Sequence, residues 1–152
     1  MSDPPRPAPS SSSSPSTSSR VVQPPGWPRP RGYSNGMAAR GEVLAIAGQI
    51  GWDERETLVS IEFLPQFEQA LRNVAAVLEA AGGQPEHLIS LTLYVTDKHQ
   101  YLAAGAALGK TYRAVLGKHY PAMALVQVAA LLEDGALVEI QGLAVLPDPP
   151  TG

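Results

Sequence analysis

Residues 120–145 read YPAMALVQVAALLEDGALVEIQGLAV, and this stretch decides the fold. Two apolar runs, Ala122 to Leu131 and Ala136 to Val145, flank Asp134-Gly135. Asp-Gly favours the positive backbone angles of a tight turn, so the stretch predicts a β-hairpin. Runs so continuously apolar predict strands covered on both faces. Two polar residues interrupt them: Gln127 between Val126 and Val128, and Glu139 between Val138 and Ile140. A carboxylate in such a run is costly unless it is paired, solvated or used. Desolvation favours its protonated form, which suits general acid–base work. Glu139 is therefore the first candidate catalytic residue. The competing reading is a structural carboxylate held by a buried arginine or by backbone N–H groups.

Upstream, Asp97 to Leu116 reads as a helix with Tyr101, Leu102, Gly105, Leu108, Tyr112 and Val115 on one face, ended by Gly117. His87 to Thr96 alternates apolar and polar residues and predicts a strand. Gln66 to Ala81 is the clearest amphipathic helix, ended by Gly82-Gly83. Asn73, beside its apolar stripe, reads as a satisfied buried amide. Residues 53–65 read as an irregular loop. Tyr33 to Ala39 and Glu42 to Ile50 predict a first hairpin turning at Arg40-Gly41. Gly48 and Gly51, close together at its end, mark either a close approach by backbone or ligand or a turn that needs positive angles.

Residues 1–25 contain nine Ser and seven Pro and predict a disordered tail. The single domain then spans residues 26–152, beginning with GWPRPR, where Trp27 is expected to pack on the domain. The order β-β-α-β-α-β-β predicts an α+β fold, a mixed sheet with two helices on one face. Its other face needs cover, which predicts a homo-oligomer.

The 152 residues suit one domain, and 44% hydrophobic with 16% charged residues suits a packed core. The formal net charge of -3 gives no bulk attraction for nucleic acid. The absence of cysteine excludes disulfides and thiolate nucleophiles. His87, His99 and His119 show no ligand spacing, so no metal is expected. Ser60, Ser90 and Thr111 lack a nucleophile elbow. No apolar run approaches the roughly 20 residues of a membrane helix, and no secretory segment is visible at the N-terminus. A cytoplasmic location is the default expectation.

Several linked pieces resemble the Rid (YjgF) family of reactive-intermediate enamine/imine deaminases. They are Gly32-Tyr33, Ala47-Gly48-Gln49-Ile50, Gln69 to Val74 followed by Ala80-Ala81-Gly82, Thr111-Tyr112, Pro121-Ala122, and Val138-Glu139-Ile140 before Ala144-Val145. The similarity covers about Tyr33 to Pro147. It implies a chorismate-mutase-like α+β fold and a homotrimer with a central barrel. It also implies small-molecule clefts between subunits, and cofactor-free hydrolysis of enamines or imines to a 2-oxo acid and ammonia. By resemblance, Glu139 helps to position or activate water, Tyr33 lines the cleft, and the Gly48-Gln49 backbone orients the ligand. Trp52, Met123 and Leu125 would supply apolar walls.

The departures shape the expectation. Where the family carries a carboxylate-binding arginine this chain has Met123. Leu125 stands at a common cysteine position, Ala47 at a small hydroxyl position and Gly109 at an asparagine position. Losing a bidentate arginine–carboxylate contact removes about 1.5–3 kcal/mol. The changed lining implies a larger or more apolar substrate. Two other readings stand beside deamination: a non-catalytic metabolite-binding trimer, and RNA binding or cleavage, against which the acidic charge argues.

Overall fold

The computed structural model describes residues 19–149; residues 1–18, and with them most of the expected tail, lie outside the described part. The elements run β1 (Ser19–Val22), β2 (Gly36–Ala39), β3 (Glu42–Ile50), α1 (Phe63–Ala80), β4 (Leu88–Val95), α2 (Lys98–Leu116), β5 (Ala122–Gln127) and β6 (Val138–Leu146). From β2 onward this is the order expected for the α+β fold.

The helices follow from their periodicity. On α1, Phe67, Ala70, Leu71, Val74 and Leu78 are fully enclosed. The helix begins three residues before the expected Gln66, because Pro65 falls in its first turn, where no N–H partner is needed. On α2, the Asp97 side chain caps the first turn by accepting from the His99 N–H at 2.8 Å. Gly105 departs from helical angles (φ 50°, ψ -125°) and kinks α2. The two helices clasp through Phe63, which stacks on Phe67 (6.0 Å) and meets Tyr101 edge-on (6.4 Å).

The strand pairing corrects both expected hairpins. The four-stranded sheet has the order β3-β6-β4-β5. β5 does not pair with β6; it lies parallel to β4, from Ser90 opposite Ala122 to Val95 opposite Gln127. The chain leaves β4 through α2 and returns on β5, and such a helical crossover produces a parallel pair. β6 then inserts between β3 and β4, antiparallel to both. Asp134-Gly135 does form a tight turn, with the Ala136 N–H donating to the Glu133 carbonyl at 3.1 Å and Gly135 at φ 85°. That turn sits inside the connection from β5 to β6. The first apolar run also stops at Gln127, whose side chain accepts from the Lys98 N–H at 2.9 Å rather than lying mid-strand.

The Arg40-Gly41 turn likewise joins strands of two different sheets. β2 pairs with β1, and β3 with β6. Ser19–Val22, read as tail, thus supplies the partner of β2. Trp27 is 61% exposed and does not pack on the domain as expected.

Both helices cover one sheet face. Leu91, Leu93 and Val95 of β4 and Val138, Ile140, Ala144 and Leu146 of β6 join the helix residues in one core. The alternate residues therefore face away: Ser90, Thr92 and Tyr94 on β4, Ala122, Ala124 and Val126 on β5, Glu139, Gln141 and Leu143 on β6. The strands are thus not covered on both faces within one chain, and Val43 and Val126 stand exposed. Among the described residues, no helix is long and apolar enough to cross a membrane.

Candidate functional site

Glu139 projects from the open face of β6, opposite Ile50 on β3 and Tyr94 on β4. The β3–β6 register slips between Ile46 and Gln49, which is a β-bulge. The bulge brings the Gly48 α-carbon beneath the Glu139 side chain. A Cβ at Gly48 would stand 2.7 Å from Glu139 Cδ and 2.9 Å from its Cγ. Gly51 is crowded in the same way by Gln66 of α1. Neither glycine has a positive φ. Both positions are therefore close approaches, and this decides between the two readings of the glycine pair. Gln49 donates its side-chain amide back to the Ala47 carbonyl at 3.1 Å and braces the bulge. Glu139 is half-buried, and the ion pair among the described residues joins Arg72 to Glu68, so no arginine holds this carboxylate.

The segment before β6 is fixed by one side chain. Gln66 is fully buried; its amide donates to the Ser60 and Gly135 carbonyls at 2.8 and 2.9 Å. Its oxygen accepts from the Leu137 N–H at 2.8 Å. Asn73 is the satisfied amide expected, donating to the Ile50 and Trp52 carbonyls at 3.0 and 2.9 Å and accepting from Gln69 at 2.9 Å. Trp52 is thereby held beyond the end of β3.

Met123 and Leu125 occupy the opposite face of the sheet, in register with Leu91 and Leu93. Tyr33 reaches them because its neighbour Ser34 is clipped to the start of β5. The Ser34 hydroxyl donates to the Tyr120 carbonyl at 2.6 Å, and its N–H to the Pro121 carbonyl at 3.0 Å. Met123 lines a cavity of about 200 Å³ with Phe67, Leu71, Tyr101, Tyr112 and Tyr120. An adjoining space of about 240 Å³ is bounded by Arg31, Tyr33, Ala124 and Leu125. Tyr112 stacks on Tyr120 at 5.3 Å and donates its hydroxyl to the His119 carbonyl at 2.7 Å. Burial pushes the Tyr112 phenol far above its ordinary value, with Tyr120 and Tyr101 adding to the effect. Burial also raises Tyr101. The Tyr101 and Tyr112 rings of the cavity wall are therefore uncharged at neutral pH.

The predicted residues thus fall into two groups. Gly48 and Glu139 meet on the open face; Tyr33, Met123 and Leu125 meet on the helix side, with β4 between. Trp52 does not line the cavity around Met123. Tyr120 and Arg113 line the cavity without having stood out in the sequence, and Tyr101 and Tyr112, expected on the apolar face of α2, line it as well. The histidines serve local structure: His87 Nδ1 accepts from the Gln84 N–H at 2.9 Å, and His119 Nε2 lies 2.7 Å from the Leu88 carbonyl. Among the described residues, no cluster of three or more His, Asp or Glu forms a metal site.

The fold and sequence are similar to known proteins. A crystal structure of a Rid-family protein of unknown function from Yersinia pestis superposes with a TM-score of 0.73. It is 31% identical, over 85% of this chain and 99% of that one. A RutC family protein of Pyrococcus horikoshii is 35% identical over 119 residues, 77% of this chain and 90% of the relative. A 2-iminobutanoate/2-iminopropanoate deaminase of Salmonella typhimurium is 32% identical over 108 residues, 69% of this chain and 80% of the enzyme. Residues 28–146 match the family described as Endoribonuclease L-PSP, and the chain belongs to that family, the YjgF/RidA family.

Proposed function

We propose that this chain is a hydrolytic deaminase of enamines or imines, acting in a cleft between copies of itself. The carrying observation is the Glu139 carboxylate, seated on the Gly48 α-carbon and held by no cation among the described residues. Similarity to a 2-iminobutanoate/2-iminopropanoate deaminase supports the reaction class. In this reading Glu139 takes a proton from water as the oxygen adds to the C=N carbon. It gives that proton to the nitrogen to form the neutral carbinolamine, and then takes the carbinolamine hydroxyl proton and passes it to the nitrogen as the C–N bond cleaves. The C–N bond breaks, ammonia leaves and a carbonyl remains; the stoichiometry consumes no oxidant, reductant or cofactor.

The division of the site across the sheet supports a homotrimeric arrangement. The cavity at Met123 in one copy would face the Glu139 side of its neighbour, and the exposed Val43 and Val126 would gain cover. Tyr33 and the Gly48-Gln49 backbone would orient the ligand. The apolar lining favours a substrate larger than the imines of two- or three-carbon amino acids.

The test is ammonia release from imines generated in place, from 2-iminopropanoate to aromatic imino acids. Turnover on a large imine, cut about 10²–10⁴-fold by Glu139→Gln, is expected. Equal rates in both proteins would remove Glu139 from the chemistry. A second reading, a binding-only trimer, draws on Met123 in place of the arginine. Tight binding of 2-oxo acids without ammonia release from any imine would establish it instead.

A further inference from the structure

The cavity beside Met123 is walled by aromatic and aliphatic groups, yet its rim carries charge of one sign. Arg113 lines it, Arg31 bounds the adjoining space, and among the described residues no Asp or Glu lines either. Arg113 follows Gly109 by four residues on α2, so the two share one helix face. A Cβ at Gly109 would stand 3.2 Å from Arg113 Nη1 and 4.0 Å from its Cζ. The guanidinium therefore lies over the bare α-carbon of Gly109, and any side chain there would press it aside. Among the described residues the ion pair is Arg72–Glu68, so the Arg113 guanidinium has no carboxylate partner.

We infer that Arg113 anchors the carboxylate of the ligand, from helix α2 rather than from strand β5, and that the ligand is an organic carboxylate with an aromatic or long aliphatic body. One change of geometry then accounts for two departures together. Met123 frees the strand position and floors the cavity with apolar surface; Gly109 makes room for the displaced arginine. A guanidinium offers a planar fork of N–H donors that matches a carboxylate with two parallel hydrogen bonds. The uncharged tyrosines beside it contribute packing surface without opposing an anion.

This inference rests on the cleft reading given above, so it is tested by binding rather than turnover. Full-length protein is titrated by calorimetry with phenylpyruvate and with benzyl methyl ketone, which keeps the ring and carbonyl but lacks the carboxylate. Arg113→Ala is expected to weaken phenylpyruvate about tenfold or more and to leave the ketone unchanged. Arg113→Lys is expected to recover part of the loss, since an ammonium cannot bind in the bidentate mode. The ketone serves as the control for folding. Equal phenylpyruvate affinity in wild type and Arg113→Ala overturns the assignment. So does an equal loss of both probes, or no binding of either by wild type. A protein that binds in this manner but releases no ammonia contradicts the deaminase reading alone. A working deaminase indifferent to Arg113→Ala contradicts this inference alone.

Discussion

Around Glu139 the space is set by backbone. The bulge at Ala47–Gly48 and the absence of a side chain at Gly48 fix where the carboxylate can lie. Around Met123 the space is set by side chains: two stacked tyrosines, Phe67, Leu71 and an arginine folded over Gly109. The first arrangement admits almost no substitution without moving the strand. The second can be refilled, since one side chain exchanges for another while β4 and β5 keep their register. Three of the four departures expected from the resemblance, Met123, Leu125 and Gly109, line the Met123 side, and one, Ala47, lies beside Gly48. A space shaped by backbone resists substitution, and one shaped by side chains accepts it.

The largest expected effect strikes the Glu139 side. Gln66→Leu would leave the Leu137 N–H and the Ser60 and Gly135 carbonyls without their partner in a fully buried position. Unmet buried groups cost about 1–3 kcal/mol each, so a loss of about 3 kcal/mol in denaturant unfolding is expected. A loss below about 1 kcal/mol would mean that other contacts hold the approach to β6.

Gly48→Ala comes next. The added Cβ would collide with Glu139 Cδ and Cγ. Displacing the carboxylate is expected to cost at least about tenfold in turnover and about 1–3 kcal/mol in stability. Unchanged kinetics would show that the carboxylate has room the bulge does not suggest. On the other side, Met123→Arg is expected to raise turnover of 2-iminopropanoate by about tenfold, because it returns a bidentate donor to β5. No gain on the small imine would mean that the lining, not the missing guanidinium, sets substrate size.

The same division governs what was legible in the sequence. Helix α1 was readable because its apolar stripe repeats at helical spacing and is decided locally. Glu139 was readable because a carboxylate in an apolar run stands out whatever the strand pairs with. The hairpin at Asp134-Gly135 was misread because a turn signal is local and a strand partner is not. The turn formed, with its Ala136–Glu133 hydrogen bond, but β5 had already been claimed by β4 through the α2 crossover. Ser19–Val22 was misread because tail composition runs into a four-residue strand without a visible boundary. Arg113 was invisible as a cavity residue. Its meaning depends on Gly109 one turn away and on Met123, which only the folded crossover brings near.

The smallest effect tests whether the cavity wall tolerates exchange. Tyr112→Phe keeps the ring stacked on Tyr120 and removes one hydrogen bond, that to the His119 carbonyl. A loss of about 1 kcal/mol at neutral pH is expected. The pH dependence separates this bond from burial of the phenol. Burial raises the Tyr112 phenol above its ordinary value of about 10. The neutral hydroxyl therefore favours the fold fully below pH 10, and that contribution falls as pH rises towards the folded value. Through this range the unfolded chain loses the proton and the folded chain keeps it. Wild type then loses up to about 1.4 kcal/mol per pH unit that Tyr112→Phe does not lose. Tyr101 is present in both proteins, so their difference reports Tyr112 alone. The two stability curves are expected to cross at roughly pH 11. Parallel curves up to pH 12 would mean that the phenol titrates as freely folded as unfolded, and that the cavity wall is open to water.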